Sequence, residues 1–244
     1  MPSEGLIGGQ SLGSGATPSV SLSPAALTNG GLVVQVIIFD SNNATTVDAV
    51  SWNGTALDSE GVRNNDWLAN RRLAIHTWSL INPDADGSPH NLAITLSEAV
   101  VDAAVLYWFL NDCDQADFVS NFVSDIDTSG SDDTPTVGIT SVGADAWLVA
   151  AAAAATGGSG GNYWTEGTGC TEKVDDATGI NASADFRYTG IYREEASPGA
   201  YTLESQSDAA AQWVITAVEL KPAGGGGGPT QPPRTMHQMR MRRN

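Results

Sequence analysis

The sequence predicts an all-β protein built as an antiparallel β-sandwich. Short apolar segments with period-2 alternation recur along the chain, and Gly, Asn, Asp and Pro separate them. No segment before residue 223 has the pattern of an amphipathic helix. The length of 244 residues fits one all-β domain. Together these observations favour a sandwich over alternating β–α units.

The candidate strands all lie between turn-forming residues. In chain order they are Leu32–Phe39, Val47–Trp52, Leu73–Leu80, Asn91–Leu96, Ala103–Leu110, Thr136–Thr140, Ala146–Ala154, Ala184–Tyr192 and Trp213–Leu220. We expect five tryptophans inside these strands to be core residues. They are Trp52, Trp78, Trp108, Trp147 and Trp213.

One strand has a competing helical interpretation. In Asp145–Gly158, six consecutive alanines have high helix propensity. The segment contains Trp-Leu-Val ahead of the alanines, glycines end it, and it is short for a helix. We therefore predict a buried strand whose small side chains let a facing sheet or loop approach closely.

The segment Trp78–Leu96 holds two aspartates, a histidine and two prolines between apolar runs. Alternation from His90 to Leu96 predicts a strand, and Asn82–Gly87 has the composition of a turn. A metal site would require His76 and His90 to converge, and no ligand spacing indicates this. We therefore predict a hairpin turn with solvated aspartates.

Composition limits the functions to consider. The net charge of −17 disfavours direct binding of nucleic acid, which is itself an anion. No run approaches the roughly 18 apolar residues of a membrane span. The N-terminus lacks the basic and apolar regions of a secretory signal, so we expect synthesis and folding in a cytoplasm. In that reducing compartment, Cys113 and Cys170 are expected as thiols, although a single bridge is the alternative.

The chain is expected to have four parts. Residues 1–18 form an N-terminal extension, and residues 19–222 form one β-sandwich domain without an internal boundary. Residues 223–233 form a Gly/Pro linker, in which a flexible glycine segment is followed by a stiffer proline-rich segment. Residues 234–244 form a basic tail with methionines between the arginines.

We predict that this tail docks on a protein partner. Nucleic acid is the usual ligand of clustered arginine, but four cations attached to an acidic body would gain little from it. Methionine gives an adaptable apolar surface, and arginine binds carboxylates in a bidentate manner. The docking residues would be Arg234, Met236, Met239, Arg240, Met241, Arg242 and Arg243.

Asp125–Asp133 has oxygen donors at alternate positions around a central glycine, which is typical of a calcium loop. The calcium ligands would be Asp125, Asp127, Ser129 and Asp133. However, the position of the usual bidentate Glu is Thr136, and no flanking helices are predicted. A solvated acidic loop is the favoured interpretation.

Aromatic residues in polar surroundings suggest a glycan contact. Trp67, Tyr163 and Trp164 have asparagine, aspartate or arginine neighbours, and a flat ring beside such groups can stack on a sugar. The alternative, which we favour, is that these rings anchor loops or pack against a neighbouring subunit.

No catalytic motif is present in the sequence. Glu194 and Glu195 are adjacent in the chain, and adjacent residues on a strand point to opposite faces, so they cannot readily form an acid–base pair. Glu166 and Glu172 are the other glutamates considered for hydrolysis. We predict a non-enzyme that needs no cofactor.

A recurring set of motifs is found in the segments Val50–Leu57, Trp78–Leu80 with Asn82–Pro83, Gly87, His90, Ala93–Leu96 and Ala217–Pro222. Together these segments resemble a module that recurs in tailed-phage structural proteins and bacterial surface proteins. The likeness covers roughly residues 18–222, except for the acidic insertion near Asp125–Asp133. It implies a jelly-roll-like β-sandwich that serves as a binding or structural module without known catalytic residues.

The expected function is therefore that of a structural protein of a tailed virus particle: a head decoration protein, a capsid fibre or a tail-associated module. Its partners would be capsid or tail proteins and neighbouring copies of itself, with no membrane and no direct nucleic-acid contact. It would be made in the host cytoplasm and reside on the virion surface. The alternative is a carbohydrate-binding or adhesive surface module that recognises a host-surface glycan.

Overall fold

The fold is all-β, and the described residues contain strands and turns but no helix. This confirms the predicted antiparallel sandwich. The computed structural model describes residues 1–41, 44–68, 71–155, 163–178 and 185–224, with only the backbone of Trp67 and Leu68.

Seventeen strands lie in these residues, and all of their pairings are antiparallel. They are β1 (Ser3–Ser11), β2 (Ser19–Leu22), β3 (Gly31–Asp40), β4 (Val47–Trp52), β5 (Thr55–Ala56), β6 (Asp58–Leu68), β7 (Arg71–Ile81), β8 (His90–Leu96), β9 (Asp102–Asn111), β10 (Val119–Asp127), β11 (Thr136–Ser141), β12 (Ala146–Ala154), β13 (Trp164–Glu166), β14 (Thr171–Ala177), β15 (Arg187–Glu195), β16 (Gly199–Ser207) and β17 (Trp213–Leu220).

The first nine strands form one jelly-roll-like sandwich, the first half of the molecule. Strands β1-β9-β3-β7-β6 form a sheet that we call inner sheet 1. Strands β2-β8-β4-β5 form the facing sheet, outer sheet 1. The chain passes repeatedly from one sheet to the other, as it does in jelly rolls. The core between these two sheets contains Trp52 and Phe109, both fully buried.

The last eight strands repeat this topology and form the second half. Inner sheet 2 has the order β10-β17-β12-β15-β14, and outer sheet 2 has the order β11-β16-β13. Each strand occupies the place of its counterpart in the first half, and only β5 lacks one. A β-bulge is also repeated, because Glu60 in β6 and Lys173 in β14 each interrupt the register at the equivalent position. The repetition of both strand order and bulge identifies the molecule as two copies of one fold.

The two inner sheets pack face to face, so the molecule has four layers. The order is outer sheet 1, inner sheet 1, inner sheet 2 and outer sheet 2. Apolar side chains fill the central interface, including Ile37 and Leu106 from one half and Phe186 and Val214 from the other. An inner strand covered on both faces reads as a continuous apolar run, which explains why β3, β12 and β17 are buried along their whole length.

The alanine-rich segment is the central strand of inner sheet 2, which confirms the predicted strand Ala146–Ala154. Ala151 and Ala153 face inner sheet 1, whereas Ala150 and Ala152 face outer sheet 2. Because methyl groups need little space, larger side chains such as Trp213 and Phe186 fill the neighbouring volume.

A small polar network lies inside the apolar interface between the halves. Trp108 Nε1 donates to Gln35 Oε1 at 3.1 Å, and Gln35 Nε2 donates to Thr216 Oγ1 at 3.3 Å. Thr77 Oγ1 lies 3.4 Å from Thr216 Oγ1. All four residues are fully buried. Because an unpaired buried polar group destabilises a protein, this network favours the alignment of the two halves in which these side chains are hydrogen-bonded.

Residues 1–18, predicted as an extension, contain a strand of the sandwich. Strand β1 pairs with β9 from Ser3 to Ser11 and forms one edge of inner sheet 1. Its glycines obscure the alternation by which a strand is recognised, because Gly is depleted in strands. A Cβ at Gly8 would collide with the ring of Tyr107, so the missing side chain provides space for that ring.

We expect both halves to unfold in a single cooperative transition, because separating them would expose the apolar faces of both inner sheets. Denaturant unfolding followed by far-UV circular dichroism and by tryptophan fluorescence should give coincident curves. Two separate transitions, or a stable proteolytic fragment cut near residues 112–118, would contradict this expectation.

Candidate functional site

Part of the predicted interaction surface lies outside the described residues. This applies to the whole basic tail, residues 234–244, and to most of the linker, of which Ala223 and Gly224 are described. The side chain of Trp67 also lies outside the description. Docking by the tail and a glycan contact by Trp67 therefore stay predictions.

The other two predicted glycan-contacting rings belong to the packed body. Trp164 begins β13, and its side chain is 4% exposed in the core between inner sheet 2 and outer sheet 2. Tyr163 is half-buried beside this core, with the Arg187 guanidinium 5.1 Å from its ring centroid. This burial fits the favoured interpretation, in which the ring packs, better than it fits a glycan contact, although Trp164 also belongs to the lining of a groove between β13 and β14. The preceding glycines and Asn162 gave the segment the appearance of a loop.

The acidic loop does not form a calcium cage. Asp127 Oδ1 accepts from Ser129 N at 2.7 Å, and its Oδ2 accepts from Gly130 N at 3.1 Å. Asp125 accepts from the neighbouring backbone, and Asp133 accepts from Thr134 Oγ1. Among the described residues, the carboxylates of this loop do not form a group of three ligand atoms within 4.8 Å of one another. The favoured acidic-loop interpretation fits this geometry better than a calcium site does.

A different carboxylate group converges with a histidine in the β7–β8 loop. His90 Nε2 lies 3.1 Å from Asp86 Oδ1 and 3.9 Å from Asp84 Oδ2. One ligand atom from each of the three residues lies within 4.8 Å of the other two. Within the described part of the chain, no other group of three His, Cys, Asp or Glu residues meets this criterion. We call these residues the Asp–Asp–His cluster.

Local chemistry explains why this cluster forms. Asn82 and Gly87 adopt positive φ angles of 52° and 85°, which turn the chain sharply at both ends of the loop. Trp52 Nε1 donates to the Asp84 carbonyl at 2.6 Å, and Asn53 Nδ2 donates to Asp84 Oδ2 at 2.8 Å. The β4–β5 turn therefore holds the β7–β8 loop. The segment has the predicted turn residues, but the predicted hairpin is wrong, because β7 lies in inner sheet 1 and β8 lies in outer sheet 1. Its aspartates are arranged around His90 as well as exposed.

His76 does not join this cluster. It lies in the middle of β7 and is 8% exposed, and its Nε2 has no hydrogen-bond partner among the described residues. Burial lowers its pKa from 6.5 to about 4, with a smaller contribution in the same direction from Arg72 that Asp48 partly offsets. The predicted lack of convergence between His76 and His90 agrees with this placement.

The lowered pKa of His76 predicts acid sensitivity. Between about pH 6.5 and pH 4 the unfolded chain binds a proton at this residue and the folded chain does not, so stability falls as the pH is lowered through that window. The pKa difference corresponds to about 3 kcal/mol. Denaturant unfolding at pH 7 and pH 4.5 should show a smaller acid-induced loss in His76→Gln than in the wild type.

Glu172 has the opposite effect on stability. Burial raises its pKa to about 7, so on acidification the folded chain binds a proton there before the unfolded chain does. The comparison therefore uses the difference between variants rather than the wild-type curve alone. Equal acid sensitivity in His76→Gln and the wild type would refute the assignment.

A groove of about 510 Å³ opens between edge strands β13 and β14. Its lining includes Glu166, Glu172 and Asp175. Burial raises the pKa of Glu172 to about 7, and the negative charge of Asp175 adds to this effect. Glu166 Oε2 accepts from the backbone N–H of Glu172 at 3.1 Å. The predicted glutamates therefore do meet, which their spacing along the chain did not indicate.

A smaller groove of about 380 Å³ lies between strands β6 and β7 of the first half and residues 116–119, which lead into β10. Ser79 Oγ donates to Glu60 Oε1 inside it, and Lys221 forms an ion pair with Asp117 at its rim. Burial raises the pKa of Glu60, although the Ser79 hydroxyl counteracts this. These contacts pair the charges locally.

The two cysteines are free thiols, and both are buried. Burial raises the pKa of Cys113 to about 12 and also raises that of Cys170. Both therefore remain protonated and unreactive at neutral pH.

No protein-family model, curated protein or solved structure matches the chain. Among the residues that the structure describes, no helix is long and apolar enough to cross a membrane.

Proposed function

We propose that this chain is a non-enzymatic structural protein of a tailed virus particle: a head decoration protein, a capsid fibre or a tail-associated module. The observation that carries the proposal is the duplicated jelly-roll-like fold. Jelly rolls occur in viral capsid and lectin domains, so the support from the fold is an analogy. The motifs that resemble phage structural proteins point in the same direction.

The packing suits a rigid building block. The inner sheets bury each other at their centre, where apolar side chains such as Ile37 and Val214 are fully buried. The outer faces carry the exposed residues of two short-stranded sheets, which are available to neighbours. A stiff body with acidic grooves is suited to presenting surfaces in an assembly.

The direct test is composition of the particle. Virions from cells that produce this protein should be purified on a density gradient and analysed by quantitative mass spectrometry. The chain is expected at a fixed stoichiometry to the major capsid or tail protein. Its loss from particles during the gradient, while it remains soluble in the lysate, would contradict the proposal.

Deleting residues 234–244 should leave the body folded and reduce incorporation into particles at least tenfold. The body should keep its melting temperature, because the strands and cores of the described structure end before residue 225. The matched control replaces the four tail arginines by lysine, which keeps the charge but removes bidentate carboxylate binding. Incorporation of the deletion variant at the wild-type level would refute the docking role of the tail.

A carbohydrate-binding or adhesive module is the second candidate function. The groove lined by Glu166, Glu172 and Asp175 favours it, because carboxylates at a cleft can accept hydrogen bonds from sugar hydroxyls. On a glycan array, binding of one sugar class that Glu172→Gln abolishes would support this function. Glu194→Gln, on an exposed part of β15, is the control. Trp164→Ala is unsuitable, because that ring is core.

A further inference from the structure

We propose that the Asp–Asp–His cluster of the β7–β8 loop is a binding site for a divalent first-row transition-metal ion, with Zn²⁺ as the probe ion. The ligands are one carboxylate oxygen each from Asp84 and Asp86 and the Nε2 atom of His90. This inference is independent of the role in a virus particle, because it depends only on the geometry of the loop.

The three side chains already converge. One ligand atom from each residue lies within 4.8 Å of the others, so an ion between them needs only small side-chain adjustments. The imidazole is largely buried, with its side chain 11% exposed, and its Nε2 points towards both carboxylates. Both aspartate side chains are more than half exposed, which leaves a path for the ion to enter.

The ligands are held by neighbouring groups. The ring of His90 packs edge-on against Trp52, with centroids 5.6 Å apart. Trp52 also donates to the Asp84 carbonyl, and the N–H of Gly87 donates to the Pro24 carbonyl at 2.8 Å. These contacts fix the backbone and the imidazole before any ion binds, which reduces the ordering cost of binding.

The second half of the molecule offers an internal comparison. Its equivalent loop, between β15 and β16, is residues 196–198, with the sequence Ala-Ser-Pro. The first half has the longer loop, residues 82–89, and both aspartates lie within it. The fold therefore closes this connection without the longer segment, so the fold itself does not require the cluster.

The donor set selects the class of ion. Imidazole nitrogen together with carboxylate oxygen suits zinc and similar ions, whereas calcium prefers six to eight oxygen ligands. Binding requires the His90 tautomer that carries its proton on Nδ1, so metal bonds replace the Nε2–Asp86 hydrogen bond. Three protein ligands leave at least one position for water or an outside group.

Isothermal titration calorimetry of the full-length chain with Zn²⁺, in 5 mM Mg²⁺ to suppress weak acidic sites, tests the proposal. The wild type should bind one ion at this site. His90→Gln and Asp84→Asn should each weaken binding at least tenfold. Asp132→Asn, in another capped acidic turn, and His237→Asn, in the tail, should bind as the wild type does.

Co²⁺ provides a second readout, because coordination by His90 gives a visible absorption band that the His90→Gln variant should lack. Circular dichroism of each variant establishes that it is folded, and Asp84→Asn keeps the test decisive if His90→Gln unfolds. Equal Zn²⁺ affinity in the wild type and both cluster variants would overturn the proposal. Failure of the wild type to bind Zn²⁺ would also overturn it.

Discussion

Replacing Trp213 with Ala is expected to lower the free energy of unfolding by about 3–5 kcal/mol. Trp213 is 4% exposed and begins β17, the strand between β10 and β12 in inner sheet 2. Its ring belongs to the core shared with outer sheet 2, beside the alanines of β12. These small neighbours cannot extend into the vacated volume, so a cavity remains. Urea denaturation with linear extrapolation measures the change.

Two controls define what the tryptophan contributes. Trp213→Phe retains most of the apolar volume and loses no hydrogen bond within the described part of the chain, where Nε1 of Trp213 has no partner. It should therefore cost less than Trp213→Ala. Val142→Ala removes an apolar side chain that is 58% exposed and should change stability by less than about 0.5 kcal/mol. A near-neutral effect of Trp213→Ala would show that the ring is not a core residue.

Replacing Glu219 with Ala should also cost about 3–5 kcal/mol, for a different reason. Glu219 is fully buried near the end of β17, and its carboxylate accepts five hydrogen bonds. The donors are Ser120 Oγ, Asn121 Nδ2, Ser141 Oγ, Val142 N and Gly143 N, at 2.7–2.9 Å. Burial by itself would raise the pKa of Glu219, but these hydrogen bonds outweigh it and lower the pKa. Removing the carboxylate leaves the donors without their shared acceptor.

Glu219→Gln is the informative companion variant, because it keeps the shape and one carbonyl acceptor. It should destabilise the protein less than Glu219→Ala does. Glu194→Ala, at an exposed site on β15, should have an effect within about 0.5 kcal/mol. Thermal and urea unfolding of the three variants at pH 7 test the order. If Glu219→Ala unfolds like Glu194→Ala, the buried carboxylate does not hold the β11–β12 turn in place.

The sequence by itself determined the fold class and the positions of the buried strands. Alternation and continuous apolar runs indicate strands wherever a face is buried, and the central strands β3, β9, β12 and β17 were predicted closely. The alanine segment was also predicted as a strand, because its flanking residues outweighed helix propensity. The alternation, the apolar runs and the flanking residues involve neighbours in the chain, so the order of residue types is enough to indicate them.

Most edge strands were not found, because strands such as β1 and β14 bury few side chains and so lack a clear pattern. The edge strand β11 was predicted, whereas β16, the central strand of outer sheet 2, was missed. Strand β14 has the sequence TEKVDDA, and β1 contains three glycines. Strand β1 is stabilised by pairing with β9, which is distant in sequence, and β14 is stabilised by pairing with the next strand, β15. Backbone hydrogen bonds between strands do not depend on side-chain type, so the residue types of an edge strand do not indicate its pairing.

The duplication, the charged core residue and the candidate site were decided only by the tertiary structure. Phe109 in β9 and Glu219 in β17 occupy equivalent positions. Each precedes a leucine, Leu110 or Leu220, and that leucine pairs near the start of the equivalent strand β3 or β12. Differences of this kind at equivalent positions make the two halves dissimilar in sequence although their strand order is the same. Likewise, Asp84, Asp86 and His90 read as turn residues, and their convergence depends on the β4–β5 turn that holds the loop. The sequence specifies which residues are available to a site. Contacts between segments far apart in the chain decide which of them meet, because those contacts alone fix the distances between side chains.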